Sequence, residues 1–149
     1  MQTTTDAIQL RDFTLQDSDA VISLWERCGL TRPWNDPTKD IQRKMDELHK
    51  GGSGWFWVAE QSKRIVGVVM VGYDGHRGSV NYLAVDLDYQ NNGIGRLMMR
   101  HAEAKLAAVG CPKVNLLVRT DNRDVLKFYK QLGYGEDAVT AISRRLIDD

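Results

Sequence analysis

The stretch "VNYLAVDLDYQNNGIGRLMMR", residues 80–100, decides the fold of this chain. It opens with an apolar, β-branched run typical of a strand and closes with apolar residues at helical spacing. Gly93 and Gly95 lie between the two and let the backbone approach a ligand, since neither carries a side chain. A helix that begins here presents unpaired N–H groups and the positive end of its dipole. The stretch predicts strand, loop and helix with an anion site in the loop, although a G-x-G pair also fits a plain tight turn.

Two well-known phosphate motifs do not match this loop. A dinucleotide fingerprint requires a third glycine at position 98, which is Met98, and an acidic residue about twenty positions later. A P-loop requires Gly-Lys followed by Ser or Thr, and the stretch has no such triplet. Nucleotide binding therefore remains only an alternative to the binding of another phosphate-bearing ligand.

Turn residues divide the rest of the chain into further helices and strands. Upstream, a strand in "AIQLRDF" precedes a helix capped by Thr14 and a second helix that starts near Pro37. Strands follow in "WFWVAE" and "RIVGVVMVGYDG". Downstream, "KVNLLV" predicts a strand buried on both faces, "NRDVLKFYKQLGYG" a short helix closed by Gly133, and "AVTAISRRLI" a final strand. The pattern predicts a single α/β (α+β) domain over residues 1–149, with residues 1–6 disordered.

Two of these helices have an apolar face that should pack on the sheet. The residues predicted to face the core are Leu15, Val21, Leu24, Trp25 and Cys28 in the first helix, and Ile94, Leu97, Met98, Ala102, Leu106 and Val109 in the third.

Composition excludes several classes of function. The 20 Lys and Arg residues balance the 20 Asp and Glu residues, whereas a nucleic-acid binder usually carries a basic excess. Cys28, Cys111 and the three His residues show no metal-ligand spacing, so no metal is expected, and both cysteines are predicted to be buried free thiols of a reducing compartment. No apolar run approaches the roughly 20 residues that span a bilayer, and the first residues lack a signal-peptide pattern. A cytoplasmic protein without nucleic-acid or membrane partners is predicted.

A second motif lies in "TDNRDVLKFYKQLGY", residues 120–134. Asn122 follows the predicted strand, and Tyr129 comes two helical turns later on a similar face of the helix. Together with "YLAV" and "QNNGIG", this motif resembles the GCN5-related N-acetyltransferase (GNAT) family. The residues that match the family's cofactor motif are Gln90, Gly93 and Gly95, and those that match its later motif are Asn122, Phe128, Tyr129, Gly133 and Tyr134.

The resemblance covers most of the chain, and "LTRPWNDP" and "YDGHRGS" further resemble a bacterial branch, the YpeA-type acetyltransferases. It implies a mixed, mostly antiparallel sheet with flanking helices and a splayed pair of parallel strands. It also implies that acetyl-CoA donates an acetyl group to a primary amine and leaves as coenzyme A. The acceptor, either a small molecule or a peptide or protein amine, stays open, as does the oligomeric state, with a homodimer among the alternatives.

The resemblance further assigns roles to single residues. Residues 90–96, called here the glycine loop, would hold the coenzyme pyrophosphate. The pantetheine arm would pair with "LAV", and the amide of Val85 or a neighbour would polarise the thioester carbonyl. Tyr129 would be the general acid, because a phenol with a pKa of about 10 keeps its proton until a thiolate with a pKa of roughly 8.5 departs. The residues predicted to bind the coenzyme are Leu83, Ala84, Val85, Gln90, Asn91, Asn92, Gly93, Ile94, Gly95, Arg96 and Asn122.

The general base and the acceptor contacts are less determined. Ribosomal-protein N-terminal acetyltransferases have a Glu five residues before the motif Asn, and this chain has Leu117 there, which takes no proton. Asp74 and His76, or Tyr82 through a water, are the alternatives for a base, although a surface loop explains the first two as well. The residues predicted to contact the acceptor are Arg32, Trp34, Asp74, His76 and Tyr82. A non-catalytic acyl-CoA sensor or interaction module on the same fold is the alternative function.

Overall fold

A mixed sheet with strand order β1-β2-β3-β4-β5 forms the centre of the fold. The computed structural model describes residues 7–149, so the disorder expected for residues 1–6 lies outside the described residues. The strands are β1 Gln9–Asp12, β2 Gly54–Gln61, β3 Arg64–Tyr73, β4 Gly78–Val85 and β5 Val114–Asn115. The helices are α1 Ser18–Arg27, α2 Pro37–His49, α3 Ile94–Ala108 and α4 Arg123–Gln131, with 3₁₀ turns at Leu15–Asp17 and Leu87–Tyr89. The first four strands pair antiparallel, and β4 pairs parallel with β5.

The chain forms two compact units. One ends at Asn115 and also includes Asp149, and the other is Leu116–Asp148. The first unit holds the whole sheet with α1, α2 and α3, and the second holds α4. The single domain over residues 1–149 stays a prediction.

The parallel pairing of β4 with β5 is only two residues long. Gly78 pairs with Val114 and Ser79 with Asn115, and there the pairing ends. Within the described part of the chain, residues 80–85 of β4 have a strand on the β3 side alone. An unpaired strand edge offers alternating N–H donors and carbonyl acceptors to an extended ligand. The mixed, mostly antiparallel sheet with flanking helices expected from the resemblance is confirmed.

The two faces of the sheet pack against different helices because side chains alternate along each strand. One face carries Phe56 and Val68, which are buried with Trp25 of α1 and Ile41 of α2. The opposite face packs against α3, where the ring centroids of Trp57 and His101 are 4.4 Å apart. The sheet therefore separates the α1 and α2 side from the α3 side.

Gly67 of β3 allows α3 to approach the sheet closely. A Cβ at this position would lie 2.9 Å from Sδ of Met98 and 3.3 Å from Cγ2 of Ile94. We expect Gly67→Val to lower the free energy of unfolding by about 1–3 kcal/mol, because a well-packed interface does not accept the extra volume. Urea unfolding monitored by circular dichroism measures this. Gly135→Val is the control, since a Cβ at Gly135 has no atom within 4 Å, and equal losses in both variants would contradict the packing argument.

Three residues predicted to face the core lie at the surface instead. Leu15, Leu97 and Val109 are 53%, 42% and 52% exposed. Leu15 belongs to the 3₁₀ turn before α1, where three residues per turn rotate it away from the α-helical stripe. On α3, the wholly buried Met99 lies on the packed face in place of Leu97. The other predicted core positions of α1 and α3 are buried or half-buried.

Of the two strands predicted near the end of the chain, the first is much shorter than predicted and the last is wrong. Of "KVNLLV", Val114 and Asn115 are in a strand, and Leu117 is 85% exposed rather than buried on both faces. Residues 134–149, which include "AVTAISRRLI", form neither helix nor strand. An apolar, β-branched run becomes a strand when a neighbouring strand supplies hydrogen bonds, and spacing alone does not contain that information.

Candidate functional site

A β-bulge interrupts β4 just before its end. Tyr82 and Leu83 together oppose the single residue Val69 of β3. Tyr82 has φ +57°, in the left-handed region that bulky side chains rarely adopt. Such a conformation costs about 1–3 kcal/mol and persists where the surroundings fix it, often at a functional site.

Tyr82 is held from two helices. The indole of Trp25 in α1 donates to the Tyr82 carbonyl at 3.1 Å, and the two rings stack with centroids 4.0 Å apart. The phenol donates to Oδ2 of Asp40 in α2 at 2.6 Å. Burial, followed by this bond to Asp40, raises the pKa of Tyr82 above its ordinary value. Tyr82 therefore stays protonated, which does not favour it as a base through water.

The carbonyl of Val85, at the end of β4, accepts two hydrogen bonds from side chains. The Val85 oxygen accepts from the Cys28 thiol at 3.3 Å and from Nε2 of Gln90 at 3.1 Å. Burial raises the pKa of Cys28, so the thiol keeps the proton that it donates. Gln90, predicted to bind the coenzyme, thus ties the start of the glycine loop to the strand end.

Asp86 anchors the next residues, and its side chain is fully buried. Its carboxylate accepts from Arg27 at 2.8 Å, from Arg64 at 3.2 Å and from the N–H of Asp88 at 3.0 Å. Burial raises the pKa of Asp86, but the Asp88 N–H and the two guanidinium groups outweigh burial and hold this pKa below its usual value. Sequence reasoning missed this residue, and the signal for it was an acid directly after an apolar strand.

The glycine loop turns through left-handed backbone conformations. Asn91 has φ +67° and Gly93 has φ +80°. The first hydrogen bond of α3 runs from the N–H of Leu97 to the Gly93 carbonyl at 2.9 Å. The N–H groups of the three residues before Leu97 therefore point out of the helix without an intrahelical acceptor.

The start of α3 differs electrostatically from that of α2. Asp36 caps α2 by accepting from the Thr38 N–H, and Asp40 adds a negative charge in the first turn. No side chain of the described residues caps α3, and its first turn has no acidic residue but contains Arg96. The helix dipole, the outward N–H groups and Arg96 together make this end of α3 attractive to an anion.

The other predicted pair, Asn122 and Tyr129, lies in the unit of residues 116–148. Asn122 caps α4 by accepting from the Val125 N–H at 3.3 Å. Tyr129 follows two turns later, and its ring lies edge-on to those of Phe128 and Tyr134. The ring centroids are 5.1 Å apart for Phe128 and 5.6 Å apart for Tyr134. Burial raises the pKa of Tyr129 to about 12, so the phenol keeps its proton at neutral pH. The joint action of this pair with the glycine loop stays a prediction.

Asp74 and His76 form the turn between β3 and β4. One oxygen of Asp74 accepts from the backbone N–H groups of Arg77 and His76, at 2.7 and 2.8 Å. These bonds, with that from Arg77 the stronger, lower the pKa of Asp74. The whole of β4, about 23 Å at 3.3 Å per residue, separates this turn from Val85. The geometry does not favour Asp74 or His76 as the base for chemistry at Val85.

Arg32 and Trp34 lie in the loop that joins α1 to α2. Arg32 donates to the carbonyl groups of Gly29 and Thr31, at 2.8 and 3.0 Å, and so closes the loop. The ring of Trp34 is 52% exposed. Of the two, Trp34 has the surface available for a ligand.

Metal-binding clusters and membrane-spanning helices are both absent from the described residues. Residues 7–149 contain no group of three or more His, Cys, Asp or Glu side chains that could hold a metal ion. No helix in this part of the chain has both the length and the apolar character needed to cross a membrane.

Comparison with known proteins identifies the family. A family model described as Acetyltransferase (GNAT) family matches residues 13–134, a range that includes both the glycine loop and α4. The chain belongs to the GNAT acetyltransferase family. The family assignment supports an acetyltransferase and the use of acetyl-CoA as donor.

Bacterial relatives agree with this GNAT assignment. The chain is 46% identical to an acetyltransferase of Sodalis glossinidius over 95% of this chain and 98% of that protein. It is also 46% identical to an acetyltransferase of Pectobacterium atrosepticum, with the same coverage of both chains.

A solved structure shows the same GNAT fold at low sequence identity. The PaiA N-acetyltransferase of Thermoplasma acidophilum, in complex with coenzyme A, is 16% identical, with a TM-score of 0.78. The match covers 90% of this chain and 93% of that one. At this identity the likeness supports the mixed sheet with flanking helices and does not extend to individual side chains.

Proposed function

We propose that this GNAT protein transfers the acetyl group of acetyl-CoA to a primary amine by direct attack of the amine on the thioester. The observation that carries the proposal is the start of α3. An uncapped helix end with a basic first turn follows β4 after the short segment 86–93, and the edge of β4 is unpaired beyond Ser79. An anion site beside an open strand edge fits a ligand with a diphosphate at one end and an amide-containing arm.

Residues 90–96 are proposed to hold the pyrophosphate. Their outward N–H groups suit phosphate oxygens, and Arg96 adds a positive charge. At Gly93 a Cβ would meet no protein atom within 4 Å, so the space beside this residue is open. Residues 83–85 are proposed to pair with the pantetheine arm as an added strand. The amide of Val85 or a neighbour would then polarise the thioester carbonyl.

Asn122 and Tyr129 are proposed to take part in coenzyme binding and acetyl transfer. Asn122 would position the coenzyme while capping α4, and Tyr129 would protonate the sulfur as the carbon–sulfur bond breaks. The raised pKa of Tyr129 supports this role in one respect, because the phenol is protonated when the thioester binds. The same phenol can recover a proton from the nitrogen once the new carbon–nitrogen bond forms.

The finer assignments rest on sequence resemblance. We propose the YpeA-type branch, a cytoplasmic protein, and an amine on a small molecule, peptide or protein, with a homodimer as one possible assembly. Both cysteines are half-buried rather than buried as expected. Arg32 and Trp34 are proposed to lie on the acceptor side.

Binding of the donor can be tested by thermal denaturation with acetyl-CoA, ATP and NAD. We expect acetyl-CoA to stabilise the fold most, by about 2.7 kcal/mol at one hundred times its Kd. Larger stabilisation by ATP or NAD would instead favour a nucleotide-binding protein. Release of the coenzyme thiol, measured across a panel of amines and peptides, then tests transfer.

A non-catalytic acyl-CoA module is the second candidate. Leu117, at the position of the Glu in related N-terminal acetyltransferases, is exposed and takes no proton. This candidate predicts tight acetyl-CoA binding without thiol release for any amine in the panel. Thiol release that depends on the amine would exclude it.

A further inference from the structure

Asp40 and Tyr82 form a carboxylate–phenol pair beside the bulge of β4. The two residues are 42 positions apart in sequence, and the phenol donates to Oδ2 of Asp40 at 2.6 Å. Tyr82 directly precedes residues 83–85, where the thioester is proposed to bind. Because the phenol bonds Asp40 of α2 and the ring stacks on Trp25 of α1, the pair lies on the α1 and α2 side of the sheet.

The carboxylate of Asp40 retains an oxygen for another donor. Oδ2 is occupied by Tyr82, whereas Oδ1 accepts a long 3.4 Å bond from Arg43. Arg43 makes its shorter bond, at 2.7 Å, with Asp149. The side chain of Asp40 is 24% exposed, so a solute can reach it.

The phenol and its strained backbone give this carboxylate a fixed position. Trp25 bonds the Tyr82 carbonyl and stacks on its ring, so Tyr82 is fixed at both ends. The cost of its positive φ is thus balanced by contacts that aim the phenol at Asp40. The strained backbone of Tyr82 thus serves to hold the Asp40 carboxylate in a fixed position relative to β4.

The surroundings of Asp40 favour a cationic partner. Lys44 turns away, because its ammonium donates to the Val71 carbonyl at 2.6 Å. The guanidinium of Arg43 donates to both Asp40 and Asp149, so its positive charge is shared between two carboxylates. The charged and titratable groups that face Asp40 are Tyr82 from β4, Arg43 on its own helix, Asp36 at the start of α2, and Asp149.

We propose that Asp40 binds the ammonium group of the acceptor and is the base that takes one proton from it. This proposal rests on the proposed acetyl transfer and assigns the base that sequence reasoning left open. The ammonium loses one proton to the carboxylate, and the neutral nitrogen forms a bond to the thioester carbon. The carbon–sulfur bond then breaks as the general acid protonates the sulfur, and the nitrogen returns its second proton to that acid. Asp40 returns its proton to solvent, and the products are the acetamide, the coenzyme thiol and one proton.

The test uses the full chain and the panel amine that the wild type acetylates fastest. At neutral pH we expect Asp40→Asn to lower kcat/KM for the amine about 10²-fold while coenzyme affinity stays unchanged. The deficit should narrow as pH rises toward the pKa of an alkylamine, about 10.4, because solution then supplies the neutral amine. Asp46→Asn is the control, since Asp46 lies on the same helix and bonds only Gln42 among the described side chains.

A second variant separates the carboxylate from the phenol. Tyr82→Phe keeps Asp40 but removes its hydrogen bond, so we expect a smaller loss than in Asp40→Asn. If Tyr82→Phe lost as much activity at an unchanged melting temperature, the phenol–carboxylate bond and not a base at Asp40 would explain both losses, and the proposal would be overturned.

Three further outcomes would also overturn it. Unchanged kcat/KM in Asp40→Asn would exclude Asp40 as the base and leave acetyl transfer intact. A parallel loss of coenzyme affinity or melting temperature would assign Asp40 a purely structural role. A wild type that binds acetyl-CoA but acetylates no amine would refute the proposed function itself, and the base with it.

Discussion

Tyr129→Phe is expected to lower kcat about 10²- to 10⁴-fold with little change in affinity for acetyl-CoA. Phenylalanine keeps the ring contacts with Phe128 and Tyr134 but has no proton to give to the sulfur. A loss confined to kcat is the signature of an interaction made in the transition state. Steady-state kinetics together with calorimetric titration of the coenzyme measure the two quantities separately.

The raised pKa of Tyr129 sharpens this prediction. With a pKa of about 12, the phenol stays protonated over the accessible alkaline range and causes no loss of activity there. A thiolate that forms in a desolvated site also has a raised pKa, which keeps proton transfer from such a weak acid feasible. Tyr73→Phe is the matched control, because it removes a phenol that bonds the exposed hairpin carbonyl of Gly75. Equal losses of kcat and coenzyme affinity in Tyr129→Phe would assign Tyr129 to docking instead.

Removing both guanidinium groups from Asp86 should have the largest effect on stability. We expect Arg27→Met with Arg64→Met to cost about 3–5 kcal/mol, because a wholly buried carboxylate would lose both of its charged partners. Asp86 also fixes the backbone through bonds with Val66 and Tyr89, so coenzyme affinity should fall as the glycine loop loses its anchor. Urea unfolding and calorimetric titration test the two effects.

The pH dependence of unfolding identifies Asp86 as the group responsible. In the wild type its pKa is lowered, so its stabilisation is present above the unfolded pKa, roughly 3.9, and is lost as pH falls through the lower folded value. Without the guanidinium groups, burial dominates and raises this pKa, so acidification should stabilise the variant relative to neutral pH. Arg100→Met removes an exposed helix pair with Glu103 and should cost under about 1 kcal/mol. A double variant as stable as this control, with an unchanged pH profile, would contradict the role of Asp86.

Sequence signals that act within a few residues predicted much of the fold. Pro37 at the start of α2, Gly93 before α3 and Asn122 before α4 act where the sequence places them. Each exerts its effect through its own backbone conformation or a bond to a residue two or three positions away. The glycine loop at the start of α3 is therefore predictable from its own residues.

Signals that need a distant partner were missed or misplaced. Leu117 and the apolar residues near the end of the chain look like strand residues, yet they are exposed. The bulge at Tyr82 was not predicted either, because a bulge is defined by the register with β3.

The sequence by itself determined the family, the glycine loop at the start of α3 and the alternating strands that support it. Tertiary structure alone decided which side chains meet at the end of β4. Asp40 with Tyr82 and Arg27 with Asp86 join residues 42 and 59 positions apart. Such pairs form because the sheet brings α1 and α2 onto one face of β4, and no local spacing in the sequence contains that distance.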